Sequence, residues 1–181
     1  MNPKIRWMTQ TAVMLALLIT LQAATKAAGQ LVTGSCVNAI LAVTVLAAGL
    51  SSGVTVAVIS PVLAYLWGIA PQILTVPAIM AGNVTYVLLL YFIAGNDSKE
   101  IWRQIAAWLT AAAVKFGVLY ALVSGLICGV FAPALTEAGL LKAPMLTALP
   151  ATFSWPQLAT ALVGGALALT ITPILRKALK R

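Results

Sequence analysis

Lys115 lies in a long apolar stretch between Arg103 and Phe131 and has the clearest potential for chemistry in the sequence. If that stretch is one helix crossing a membrane, a rise of about 1.5 Å per residue places Lys115 about 18 Å beyond Arg103, slightly past the midplane of a ~30 Å hydrocarbon core. An ammonium group at that depth costs about 2.5–3.5 kcal/mol, so we expect it to face the bundle interior or a wet cavity. We interpret it as a cationic contact for an anionic or strongly polar ligand.

The alternative for Lys115 is a neutral or snorkelling lysine that is held by backbone carbonyl groups. The sequence gives it no acid at a comparable depth, because Asp97, Glu100 and Glu137 all lie in predicted loops. This isolation favours the ligand interpretation without excluding the structural one.

Further polar residues are predicted near the outer ends of the helices. Lys26 is followed by Gln30 and Asn38 across the first outer turn, while Asn83 and Gln157 lie close to the starts of later helices. We interpret these residues as a polar cluster at the mouth of a cavity that opens to the outside. For Lys26 the alternative is interfacial snorkelling, which is common for lysine at helix ends.

Three aromatic residues, Trp67, Tyr120 and Trp155, also fall in the outer half of the predicted bundle. They either line the same pocket, as small-molecule sites require, or form an interfacial aromatic belt. For any single ring the belt is the favoured interpretation, and the pocket stays open as the alternative.

Enzyme chemistry finds no support in the sequence, and we expect neither catalytic residues nor a cofactor. There is no histidine, and Cys36 and Cys128 lie far apart in apolar blocks, so neither a metal site nor a disulfide framework is indicated. No serine–histidine pair, carboxylate pair or Walker A motif occurs. A proton or sodium relay normally uses an intramembrane carboxylate. The sequence predicts none, which argues against a self-sufficient secondary transporter.

The composition indicates that almost the whole chain is embedded in a membrane. Of its 181 residues, 62% are hydrophobic and only 8% are charged, against about 45–50% and about 25% in soluble domains. Each crossing takes about 20 apolar residues, so six crossings leave no room for a soluble catalytic domain. The net charge of +8 lies at helix ends and termini, which is typical of membrane orientation rather than of nucleic-acid binding.

We therefore predict an all-α polytopic membrane protein, a single domain of six transmembrane helices. The predicted helices span about residues 7–28, 35–50, 54–70, 76–94, 105–131 and 155–175. We expect turns at 29–34 and 51–53, an end to the third helix at Pro71, and a polar loop at 95–104. The connection 132–154 is long and without clear structure of its own, so it is a candidate lid or binding loop.

The distribution of lysine and arginine predicts a multi-pass protein of the cell membrane with both termini in the cytoplasm. Lys26 and Lys142 would be the only bases outside, whereas the inner side would hold Lys4, Arg6, Lys99, Arg103, Arg176, Lys177, Lys180 and Arg181.

Small residues recur at spacings that allow helices to approach closely. Ala12 and Ala16 form an A-x-x-x-A pattern on the first helix, Gly125 and Gly129 a G-x-x-x-G pattern on the fifth, and Gly164–Gly165 lie in the sixth. The two interpretations, packing within the chain and a docking surface for another membrane protein, are equally compatible with the pattern.

The chain resembles the S component of energy-coupling factor (ECF) transporters, the substrate-binding membrane subunit of these bacterial vitamin importers. The resemblance covers nearly the whole chain and is carried by the segments 4–6, 9–16, 30–38, 60–61, 115–120 and 153–157. It implies six helices with both termini inside and a vitamin cavity on the outer side. It also implies a gate at the first outer loop, here residues 30–35, and contact of Ala12 and Ala16 with the T component of a complex with two ABC ATPases.

The resulting hypothesis is a non-enzymatic subunit that captures a vitamin or related micronutrient outside the cell for ATP-driven uptake. Its expected partners are that small molecule, membrane lipid, the T component and the ATPases, and no nucleic acid. The alternatives are a solitary channel or facilitator and a non-transporting membrane scaffold. One lysine and scattered amides fit pantothenate, folate, biotin or a flavin equally well.

Overall fold

The computed structural model describes residues 2–69, 72–95 and 101–179, and in these ranges the regular structure is helical throughout. Short 3₁₀ turns, Lys26–Ala28 and Ile73–Thr75, follow the first helix and precede the fourth, and a π-helical segment, Ala121–Val130, continues the fifth. The α-helices are α1 (Pro3–Thr25), α2 (Gln30–Ala48), α3 (Leu50–Leu66), α4 (Val76–Ala94), α5 (Ile101–Tyr120), α6 (Ala132–Glu137), α7 (Ala143–Thr152) and α8 (Trp155–Leu179).

Helix length and composition agree with a multi-pass membrane protein. Within the described ranges, five segments are long and apolar enough to cross a membrane: Pro3–Ala28, Gln30–Ala48, Ile73–Ala94, Ile101–Val130 and Ala143–Lys177. α3 is apolar but has only 17 residues, which at about 1.5 Å per residue is about 26 Å, slightly less than the hydrocarbon core. The all-helical architecture is thus confirmed, whereas the count of six crossings stays a prediction.

Two predicted turns are in the wrong place. The chain reverses at Gly29 and Gly49, with φ values of 90° and 92° that glycine adopts readily, so 30–34 begin α2 and 51–53 lie inside α3. The small residues of 51–53 serve packing instead. Ser52 is fully buried and accepts a hydrogen bond from Thr11 Oγ1 at 2.9 Å, and a Cβ on Gly53 would lie 2.8 Å from Val45 Cβ.

The connection 132–154 is also more ordered than predicted, since it contains α6 and α7. Pro133 and Pro144 lie in the first turns of these helices, where the fixed φ of proline favours helix initiation and its missing N–H is not needed. The third helix ends at Leu66. Pro71 and half of the predicted loop 95–104, residues 96–100, lie outside the described residues.

The long helices run alternately between two ends of the bundle. We call one end the connection end, because it contains the long connection with α6 and α7, together with Gly29 and Gly68. We call the other end the terminal end, because it contains the start of α1 and the end of α8, together with Gly49 and Gly95. α2 is the central helix, because eight consecutive residues, Asn38–Val45, are buried. A helix that is apolar on every side needs neighbours on every side.

Glycines bring α8 close to its neighbours. A Cβ on Gly164 would lie 2.6 Å from both Asn38 Cβ and the Ser35 carbonyl oxygen of α2, and a Cβ on Gly165 would overlap the Trp108 ring of α5. Gly125, in contrast, has no neighbouring atom within 4 Å of such a Cβ. Of the small-residue patterns, the pair on α8 is therefore used for packing within the chain.

Arg176 caps the C-terminus of α2. Its Nε and Nη2 donate to the Leu46 carbonyl oxygen at 2.9 and 2.6 Å, satisfying one of the last carbonyls of the helix. We expect Arg176→Met to lower the free energy of unfolding by about 1–2 kcal/mol, measured as a lower thermal midpoint in detergent. The adjacent, exposed Lys177 provides the matched control, and a Lys177→Met midpoint as low as that of Arg176→Met would contradict this role.

Candidate functional site

Lys115 faces the bundle interior and joins three helices. Its side chain is only 2% exposed, and Nζ donates to Asn38 Oδ1 on α2 at 2.5 Å and to Asn83 Oδ1 on α4 at 2.7 Å. The Tyr86 ring lies below the ammonium group, with its centroid 5.2 Å from Nζ, a cation–π distance. Among the described residues, the partners of Lys115 are thus two side-chain amides and a ring.

The lysine fixes the orientation of both amides, because an ammonium group can only donate hydrogen bonds. Each asparagine must therefore turn its oxygen towards Nζ and its Nδ2 away. Asn38 Nδ2 donates to the Gly34 carbonyl at 2.9 Å and to Thr160 Oγ1 at 3.2 Å. Asn83 Nδ2 has no partner in the part of the chain that the structure describes, although the residue is only 1% exposed. Buried donors are nearly always paired, so this one marks a place where a partner fits.

A cavity of about 210 Å³ at the connection end reaches down to this cluster. Its walls come from α1 to α5 and from the junction of α7 and α8. Six of the residues predicted from the sequence line it together: Lys115, Lys26, Gln30, Asn38, Asn83 and Gln157. These residues are up to 131 positions apart in the chain (Lys26 to Gln157), and the fold brings them to one hollow.

The three predicted aromatic residues do not line this cavity. Trp67, Tyr120 and Trp155 are 62%, 49% and 64% exposed, as the interfacial-belt interpretation expects. Trp155 borders a second, shallower groove of about 400 Å³ that shares Gln30 and Gly29 with the cavity. The aromatic ring that does line the cavity is Phe153, which is only 3% exposed.

Gln22 is a lining residue that the sequence reasoning missed. Its Oε1 is buried without a hydrogen-bond partner among the described residues. The signal was present, because Gln22 precedes Lys26 by four positions, and residues four apart share one face of a helix. Gln22 thus adds an unpaired acceptor to the lining of the cavity.

Lys26 has a structural partner at the mouth of the cavity. Its Nζ donates to the Gly68 carbonyl oxygen at 2.6 Å, which joins the turn after α1 to the end of α3. Gln72 Nε2 similarly donates to the Leu140 carbonyl at 2.7 Å and joins the start of the α4 segment to the connection between α6 and α7. Both bonds join connections at this end of the bundle. Lys26 therefore has a structural contact and also lines the cavity.

The charge balance of the site is positive. In the part of the chain that the structure describes, Glu137 is the only acid; it lies on α6 and does not line the cavity. The same part contains no group of three or more potential metal ligands among its His, Cys, Asp and Glu residues. The arrangement can therefore bind a small polar or anionic solute through hydrogen bonds and the Lys115 charge. In comparisons with known proteins, the chain matches no protein-family model, no curated protein and no solved structure.

Proposed function

We propose that this chain is the substrate-binding subunit of an ECF-type importer and that it captures a small polar micronutrient in the cavity around Lys115. The observation that carries the proposal is the buried lysine, bound by two amides, at the bottom of a hollow that opens at one end of an apolar bundle. Ionisable residues inside a membrane mark substrate or ion pathways by default, and the cavity provides the space that such a pathway needs.

The volume of the cavity favours a solute of about the size of one ring with a short side chain. A cavity of about 150 Å³ is sufficient for benzene, whereas pockets for drug-sized ligands start at about 300 Å³. At about 210 Å³, the cavity lies between these values. Among the vitamins that fit the sequence, the volume favours the smaller ones over folate or a flavin.

A binding subunit is favoured over a solitary channel because packed apolar side chains lie between the cavity and the terminal end of the bundle. Between Lys115 and the terminal end, α2, α3 and α4 contribute Leu41, Val45, Val56 and Val87, all at most 2% exposed. A second hollow of about 200 Å³ at the terminal end is lined by Leu46, Ala94 and Arg176 among others, and it shares no lining residue with the cavity. Side chains packed in this way separate the two hollows in the described part of the chain. Release of the solute on the other side then requires a change of the whole subunit, which a partner complex would drive.

The proposal also covers the orientation of the chain in the membrane and its assembly with the other subunits of the importer. The bases Lys4, Arg6, Arg103, Arg176 and Lys177 lie near the terminal end, which the positive-inside rule would put in the cytoplasm of a cell-membrane protein. The cavity then opens to the outside, and both termini lie inside. The T component and two ABC ATPases would supply the energy, and lipid would cover the remaining apolar surface.

The direct test is to purify the chain and examine it by native mass spectrometry for a co-purified small molecule. The bound molecule is then used for uptake into vesicles with and without ATPase partners. One-to-one binding with uptake only in the presence of ATP and partners would support the proposal. Flux through the reconstituted chain alone would indicate a channel, and a stable partner complex without any solute would indicate a scaffold.

The proposed contact with the T component predicts a separation of binding from transport. Ala12 and Ala16 are exposed on one face of α1, so a larger side chain there meets no neighbour within the chain. We expect Ala16→Leu to leave solute affinity unchanged and to reduce ATP-driven uptake at least about tenfold, because close helix approach needs small residues. Ala113→Leu, on the exposed face of α5, is the matched control and is expected to transport normally. Equal uptake by both variants would exclude α1 as the docking face.

A further inference from the structure

We infer that the solute is a small carboxylate whose acidic group binds at the bottom of the cavity between Lys115 and Asn83. The inference rests on the proposed function, since it names the chemical class of the molecule that the cavity takes. It follows from three observations: the charge of the site, its hydrogen-bond inventory and its size.

The charge of the site selects an anion. Lys115 lies in an apolar bundle without an acidic partner, since Glu137, the one acid within the described ranges, lies on α6 outside the cavity. Amide oxygens and the Tyr86 ring orient the ammonium group but do not neutralise it. A bound carboxylate would do so in a low-dielectric environment, where the attraction is strong. A cationic solute would instead meet an uncompensated like charge.

The hydrogen-bond inventory separates a carboxylate from a neutral amide. Lys115 uses two donors on Asn38 Oδ1 and Asn83 Oδ1 and has a third, while the neighbouring Asn83 Nδ2 has no partner among the described residues. The bottom of the cavity therefore offers unpaired donors, and each of its two amide oxygens already accepts one hydrogen bond from Lys115. A carboxylate accepts only, so both of its oxygens are satisfied there. The NH₂ group of a neutral amide ligand would have to share an amide oxygen that already accepts from Lys115, and the ligand would not compensate the charge of the lysine.

The opposite side of the cavity adds one more feature to the expected solute. Gln22 Oε1 is a buried acceptor that has no partner within the described ranges, and it lies on a different helix from Lys115 and Asn83. It fits a hydroxyl or N–H group carried by the same molecule. The volume of about 210 Å³ limits that molecule to about one ring with a short acidic chain. The class is thus a small monocarboxylate that carries a hydrogen-bond donor.

Asn83→Asp tests the inference with little change of shape. The new carboxylate would accept from Lys115 where the ligand's carboxylate is expected, so the lysine keeps a partner and the bundle keeps its fold. Binding of an anionic solute should fall at least about 100-fold, because the charge that attracted it is neutralised from within. A merely structural Asn83 would give the opposite pattern, with binding retained.

The probes are sets of three single-ring compounds that differ only in the polar group: a carboxylate, the corresponding primary amide and the corresponding primary amine. The first set is benzoate, benzamide and benzylamine. Stabilisation of the purified protein against heat is measured for the wild type, Asn83→Asp and Ala64→Leu, which fills the cavity wall. Stabilisation by carboxylates only, lost in both variants, is the expected result. Amides or amines that stabilise the wild type but not Ala64→Leu would overturn the carboxylate class and leave the proposed function intact.

Two other outcomes separate the inference from the proposed function. Carboxylates that bind equally well to the wild type and to Asn83→Asp would overturn the assignment of the acidic group to this cluster, while binding as such would still stand. If no probe stabilises the protein and native mass spectrometry finds no co-purified molecule, the cavity is not a solute site, and both the inference and the proposed function fail.

Discussion

Replacing Lys115 by methionine is expected to lower the affinity for the solute at least about 100-fold, while the bundle still folds. Hydrogen bonds to charged groups contribute about 1.5–3 kcal/mol, and a factor of 100 corresponds to about 2.8 kcal/mol, so the loss of this one donor accounts for the effect. Methionine has a similar length and is apolar, which keeps the cavity shape. The measurement is equilibrium binding of the co-purified solute to purified protein.

The fold should tolerate the loss of Lys115 because its bonds lie inside a membrane bundle. Hydrogen bonds between transmembrane helices contribute only about 0.6 kcal/mol on average. The amide oxygens that lose Lys115 belong to Asn38 and Asn83, which line a cavity that water can enter. Circular dichroism and the thermal midpoint verify this. Lys142→Met, at an exposed position before α7, is the control and should bind normally. Wild-type affinity in Lys115→Met would remove the lysine from the site.

Arginine at position 115 distinguishes a general positive charge from the specific geometry of the cluster. A guanidinium group is planar and larger than an ammonium group and cannot direct its donors to Asn38 and Asn83 in the same way. We expect Lys115→Arg to bind the solute more weakly than the wild type but better than Lys115→Met. Equal binding by the two variants would show that charge makes no contribution.

The interior position of Lys115 could be predicted from the sequence because a lipid-exposed charge is most costly near the centre of the bilayer. The depth of a residue in the bilayer follows from its position along the helix. The same holds for the polar residues near the outer helix ends, five of which line one cavity with Lys115. Depth does not determine which side of a helix a residue occupies. Trp67, Tyr120 and Trp155 were therefore placed at the correct end of the bundle but face outwards, whereas Phe153 and Gln22 went unnoticed.

Turns were harder to predict because serine and glycine have two uses in membrane helices. In 51–53 they allow α3 to approach its neighbours, and the reversal takes only one residue, Gly49. The sequence pattern is the same for a turn and for close helix packing, and only the neighbouring helices distinguish the two. Proline has the same ambiguity: Pro133 and Pro144 start short helices, although the sequence suggested an irregular loop.

Gly164→Val is expected to be the most destabilising single change and to weaken the site through packing. A Cβ at this position would lie 2.6 Å from the Ser35 carbonyl oxygen and from Asn38 Cβ, and backbone atoms cannot move aside as a flexible side chain can. α2 and α8 must separate, at a cost of about 3 kcal/mol, which for a chain of this size lowers the thermal midpoint by roughly 6–12 °C.

The same substitution at Gly125 is the matched control, because a Cβ there has no neighbour within 4 Å. Gly125→Val should change the midpoint by less than about 2 °C, since only helix propensity is affected. Separation of α2 from α8 also moves Asn38, which holds Lys115 and is itself held by Thr160. Solute affinity should therefore fall in Gly164→Val and stay unchanged in Gly125→Val. A stable Gly164→Val protein with normal affinity would show that the close contact of α2 and α8 neither limits stability nor positions the lysine cluster.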